Sequence, residues 1–99
     1  MIFEIAEIQI KPDTQAAFEA AVAEAVPLFR RAKGCHSMRL EHSIEQADAY
    51  RLVVGWETLE NHMVDFRESQ DFQAWRGLVG GFFLAPPKVG HTSTVLAGF

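Results

Sequence analysis

A single cysteine, Cys35, leaves this 99-residue chain without an internal disulfide and fits a reducing compartment. No apolar run reaches the roughly 18 residues that a membrane span requires. The opening Met-Ile-Phe-Glu-Ile carries an acid where a secretory leader carries bases, so a cytoplasmic protein is expected. Basic residues are few. Nine Lys and Arg stand against thirteen Asp and Glu, a net charge of −4, and the pI is near 5.5. The one basic cluster, Arg30-Arg31-Lys33, closes a predicted helix, where cations complement the helix dipole. No nucleic-acid or anionic-membrane partner is therefore expected. The phosphate-cradle patterns are missing, because Gly77, Gly80 and Gly81 fall at a helix end and not before a helix start. There is no Gly-x-Ser-x-Gly elbow.

Metal chemistry is disfavoured by spacing. Cys35 and His36 are neighbours on a strand and so point to opposite faces. His36 and His42 share a face but lie about 20 Å apart along it. No pair of the four His and one Cys has the spacing of zinc ligands. No metal site and no metal cofactor are expected.

Aromatic bulk is plentiful instead: eight Phe, two Trp and one Tyr. The length sets one domain, residues 1–99, with an adequate core. Residues 2–11 alternate as a strand, with Ile2, Ala6, Ile8 and Ile10 on one face and Phe3 and Ile5 on the other. Pro12-Asp13-Thr14 starts a helix over 14–33, with Phe18, Val22, Ala25 and Phe29 as its stripe. Pro27 should kink or split that helix, and Gly34 should end it. Residues 35–44 and 49–56 form a hairpin, with His36, Met38, Leu40 and His42 on one face of the first strand. Thr58 caps a short helix, and Ser69 caps a second piece that ends at Gly80-Gly81. Pro86-Pro87 leads into a last strand over 88–97. The order β-α-β-β-α-β predicts an α+β, ferredoxin-like fold: a four-stranded antiparallel sheet with both helices on one face. The open sheet face then needs a cover, most simply a second copy of the chain, as a homodimer.

The chemistry points to residues 56–75. Leu59, His62, Met63 and Phe66 recur at i, i+3, i+4 and i+7, one helix face. His62 thus places a group that titrates near neutrality on an apolar stripe. The ordinary explanation, a satisfied core histidine, stands beside the catalytic one. Trp56, Phe66, Phe72 and Trp75 surround this stretch. They either fill the core or wall a cleft for a small aromatic ligand. Glu4 shares a face with Ile2, Ala6 and Ile8. An acid there is expected at a strand edge or interface rim.

Several pieces together resemble the antibiotic biosynthesis monooxygenase family of the dimeric α+β barrel superfamily. They are the opening strand into Lys11-Pro12, Pro27-Leu28, Gly34-Cys35, Tyr50, Trp56-Glu57-Thr58-Leu59-Glu60-Asn61-His62 and Ser69-Gln70-Asp71-Phe72. The resemblance spans essentially the whole chain. It implies a dimeric α+β barrel and, in some members, cofactor-independent oxidation of phenol-like substrates by O₂. Haem-degrading relatives use an Asn on the first strand, a Trp before the second helical piece and a His ligand on that piece. Here the first strand has no Asn, Asp65-Phe66 stand in place of the Trp, and Trp75-Arg76 stand in place of the His. With the resemblance added, His62 is the expected base or hydrogen-bond donor, and Trp56, Phe66, Phe72 and Trp75 are expected to hold the ring. His91 is a second candidate on the last strand, and no cofactor is expected. The alternative is a small dimeric ligand-binding or isomerase-like domain without oxygenase activity.

Overall fold

The computed structural model describes residues 1–99. Four strands form one antiparallel sheet: β1 (Ile2–Gln9), β2 (Cys35–His42), β3 (Ala49–Trp56) and β4 (Lys88–Thr92). Their order across the sheet is β2-β3-β1-β4. Helices α1 (Gln15–Arg30) and α2 (Gln70–Val79) interrupt the strand sequence, which gives the ferredoxin-like α+β arrangement expected from the pattern.

The register explains the core. β1 pairs with β3 so that Ile2, Glu4, Ala6 and Ile8 stand beside Trp56, Val54, Leu52 and Tyr50. These positions share the helix-facing side, and Ala6, Ile8, Tyr50, Leu52, Val54 and Trp56 are buried there. α1 covers them with Phe18, Ala21, Val22, Ala25 and Phe29. α2 adds Trp75 and Val79. Each of the larger apolar side chains contributes about 2 kcal/mol by leaving water. On the opposite face Phe3 and Ile5 are only half-buried.

Four local expectations are corrected. α1 runs unbroken through Pro27. Ala23, whose carbonyl loses its partner there, is exposed, so water can satisfy it. The β2–β3 ladder slips between Cys35, opposite Trp56, and Ser37, opposite Gly55. The bulge puts Cys35 on the Trp56 face and takes His36 out of alternation with Met38. His36 instead pairs with Glu57 at the surface. The last strand stops at Thr92, not 97, because Thr92 already lies opposite Phe3 and β1 has almost no residues left to pair. Finally, Glu4 is 6% exposed, far from a rim position.

Gly34 locks the bulge against the following helix. Its φ is 77°, and a Cβ there would sit 2.1 Å from Asn61 Oδ1. Its carbonyl accepts from Glu57 N–H at 2.7 Å. Gly34→Ala should therefore cost about 2–3 kcal/mol, combining left-handed strain with a displaced Asn61. Urea denaturation checks this, and an unchanged midpoint would show that the loop relaxes without loss.

Candidate functional site

The site begins with an unusual helical turn. Residues Asn61–Phe66 form a π-helical turn, in which Arg67 N–H reaches back five residues to the His62 carbonyl at 3.2 Å. Thr58 and Asn61 pin its start reciprocally. Asn61 N–H donates to Thr58 Oγ1 at 3.1 Å, and Thr58 N–H donates to Asn61 Oδ1 at 3.0 Å. Asn61 Nδ2–H also donates to Asp65 Oδ2. Ser69 caps α2 as expected, its hydroxyl accepting from Phe72 N–H.

The wide turn overrides the stripe predicted for a regular helix. His62 and Phe66 are buried, with Asn61 beside them, while Leu59 and Met63 are 49% and 38% exposed. A 3.6-residue period assumes i→i−4 bonds throughout, and this segment has shifted to i→i−5.

His62 meets two groups from distant parts of the chain. Its Nε2 lies 3.2 Å from Glu4 Oε1 on β1. Its Nδ1 lies 2.8 Å from His91 Nε2 on β4. Trp56 Nε1–H donates to the same Glu4 oxygen at 3.1 Å, and the Trp56 ring stacks on the His62 ring with centroids 5.4 Å apart and planes 18° apart. The sheet makes this convergence, since Glu4 stands directly opposite His91 in the ladder and Trp56 opposite Ile2. Among the predicted site residues, His62, His91 and Trp56 thus come together. Phe66 joins them through Trp56 at 5.4 Å, and Phe72 packs on Phe66. Trp75 stands apart from His62, edge-on against Phe29. Phe66, Phe72 and Trp75 occupy space between helices and sheet. One open groove, about 500 Å³, lies at the other end of the sheet beside Gln9, His42 and Tyr50, and a shallower one, about 640 Å³, runs along β1 and β4 past Ile5, Arg51 and His91.

Two participants escaped the sequence reading. Glu4 left a signal, an acid in alternation with Ile2, Ala6 and Ile8. Arg67 left none, because only the π-helical turn directs its charge toward the site.

The electrostatics follow from burial. Desolvation raises the Glu4 carboxyl to about 7 against the smaller lowering by the Trp56 hydrogen bond and the Arg67 charge. Desolvation lowers His62 to about 4, with His91 and Arg67 adding to the effect. His91 is lowered by burial first and by Arg67 second. A proton in this cluster is therefore better held as a neutral carboxylic acid than as an imidazolium. His62 engages its two ring nitrogens with different partners, so Glu4, His62 and His91 do not converge on one ion.

A ferredoxin-like α+β domain with a carboxyl–imidazole–imidazole chain running from its core to its edge strand defines the class. The sequence pattern of the antibiotic biosynthesis monooxygenase family matches residues 1–78, and the chain belongs to that family. It is 36% identical over 95 residues to the uncharacterised protein YczJ of Bacillus subtilis, covering 96% of this chain and all of that one. A crystal structure from Bordetella bronchiseptica that bears the family's name is 58% identical, with TM-score 0.94 over 96% of this chain and 97% of that one. SnoaB from Streptomyces nogalater, named as a cofactor-independent oxygenase, shares the fold at 12% identity and TM-score 0.83, covering 98% of this chain and 95% of that one. No helix is long and apolar enough to cross a membrane.

The opposed shifts predict an unusual pH–stability profile. Glu4 binds a proton more tightly when folded, so its contribution is full below about 4.5 and lost as pH rises through about 7. His62 binds one less tightly, so its contribution is present above about 6.5 and lost as pH falls through about 4. Each displacement spans about two and a half pH units, on the order of 3 kcal/mol. From these two groups the wild type should be nearly level between about pH 4.5 and 6.5. Glu4→Gln should unmask the His62 dependence, with stability climbing by on the order of 3 kcal/mol from about pH 4 to 6.5. Denaturant titrations across that range decide it, and parallel profiles for the two proteins would reject the assignment.

Proposed function

We propose that the protein is a cofactor-independent monooxygenase for a small aromatic or phenolic substrate, working as a homodimer joined through the open sheet face. The observation that carries this reading is the chain from buried Glu4 and His62 to half-buried His91, set against the Trp56 ring. Family membership supports it.

The chemistry needs a base and a dry surround. Removing a proton from a phenol, or from a CH₂ beside aromatic rings, leaves an anion rich enough in electrons to reduce O₂ directly. For a CH₂ substrate two C–H bonds break and a C=O forms, while the second oxygen atom leaves as water. Both electron pairs come from the substrate, so no separate reductant is consumed. The protein supplies deprotonation through His62, orientation and exclusion of water. Of the four aromatics assigned to hold the ring, Phe72 has surface to offer, and Trp56, Phe66 and Trp75 are buried behind it. The same proton-handling chain would also serve an isomerase, which moves a proton without O₂. Product mass separates the two, since oxidation of a CH₂ to C=O adds one oxygen and removes two hydrogens.

O₂ uptake with anthrones, hydroquinones and catechols tests the assignment. With any compound that is turned over, His62→Ala should lower the rate by about 100-fold or more. Wild-type rates in that variant would remove His62 from the mechanism. Light scattering should give about 22 kDa for the homodimer, twice the 11.1 kDa chain. A monomer mass would reject the pairing through the sheet.

A further inference from the structure

His62 cannot itself reach a ligand. It is 3% exposed, its Nε2 faces Glu4 and its Nδ1 faces His91, so neither ring nitrogen is free. His91 differs. It is only half-buried on the edge strand β4, its Nε2 is taken by His62, and its Nδ1 has no partner within the protein. We infer that His91 Nδ1 is the atom that meets the substrate, and that a proton taken there is relayed through His62 to Glu4. His91 is then the catalytic residue, and His62 and Glu4 are positioning residues that act through it. The inference rests on the reading above only in assuming that the substrate loses a proton at this site.

The relay balances in three moves. The substrate's O–H or C–H bond breaks as an N–H bond forms at His91 Nδ1. The Nε2–H of His91 passes to His62 Nδ1 across 2.8 Å. The Nε2–H of His62 passes to Glu4 Oε1 across 3.2 Å. Both rings begin and end neutral, in exchanged tautomers, and the negative charge has moved from Glu4 to the substrate. The surroundings favour that end state. Burial disfavours an imidazolium at His62 and raises the proton affinity of Glu4. Trp56 N–H holds the accepting oxygen in place. Arg67 forms no ion pair. In a regular α-helix it would stand about 140° around the axis from His62, but the π-helical turn sets it one wide turn above His62, where its charge opposes a cation on either ring. The remaining titratable neighbour is the Cys35 thiol, held up chiefly by burial and further by Glu4.

A proton acceptor near 7 suits substrates of matched acidity. Phenols acidified by a conjugated carbonyl come nearest to that value, and aliphatic alcohols lie far from it.

The relay has a signature that needs no substrate. In ¹⁵N-histidine-labelled protein titrated from pH 5 to about 9, loss of the Glu4 proton near 7 should switch both rings from Nδ1–H to Nε2–H together. Neither ring should pass through the imidazolium form in that step. Glu4→Gln should abolish the switch. Fixed tautomers, imidazolium signals in the same step, or a switch that survives Glu4→Gln would each overturn the relay. If Glu4→Gln does not fold, the wild-type titration still decides. With a compound that the wild type oxidises, His91→Ala should lower kcat/KM by about 100-fold. The rise of kcat/KM near pH 7 should disappear in Glu4→Gln. A working relay without O₂ uptake would refute the oxygenase reading alone, and oxidation without the tautomer switch would refute the relay alone.

Discussion

Burying the Glu4 carboxyl on the helix-facing side of β1 is the constraint around which this site is built. An isolated carboxylate in a protein interior is costly, and the cost falls only if donors meet it or it takes a proton. Here both answers are available. Trp56 and His62 bring nitrogens to one of its oxygens, and its pKa rises until protonation is accessible near neutrality. The positions of Trp56, His62 and His91 follow from that requirement. Two of them are delivered by strand register, since Glu4 stands opposite His91 and Ile2 opposite Trp56.

The third is delivered by the π-helical turn, and that turn is held from several sides. Gly34 allows the β2 bulge to press against Asn61. Asn61 and Thr58 satisfy each other's backbone. Arg31 clamps Asp71 at the start of α2 through two 2.7 Å contacts that join α1 to α2. The wide turn brings His62 and Phe66 inward together and sets Arg67 above the site. A π-helical insertion at a site with strongly displaced proton affinities joins two features that often mark function.

The aromatic richness of the chain divides into two roles. Phe29, Phe66, Phe72 and Trp75 pack on one another, Phe18 packs on Tyr50 and Phe82, and together these rings exclude water. Trp56 bridges that core and the polar chain, with its ring against His62 and its N–H on Glu4. The low local dielectric made by the first group is what displaces the proton affinities in the second.

By itself the sequence determined the element order, the apolar alternation of β1 and β3, the stripe of α1, the Ser69 cap and the inward placement of His62. All are local patterns of period two or near 3.6, and a short chain with few breakers leaves little freedom in reading them. Tertiary structure alone decided the partners of His62. Glu4, Trp56, His62 and His91 span nearly the whole chain, and nothing in their spacing records that β1, β3, β4 and a widened helical turn meet at one point. Glu4 was visible as an acid in an apolar alternation, yet a strand's own pattern cannot say whether a neighbouring element will cover that residue. Leu59 and Met63 were misplaced for a related reason: the i→i−5 shift changes which residues face inward, and it is set by the contacts of Asn61 with Thr58, Asp65 and Gly34 rather than by hydrophobic period.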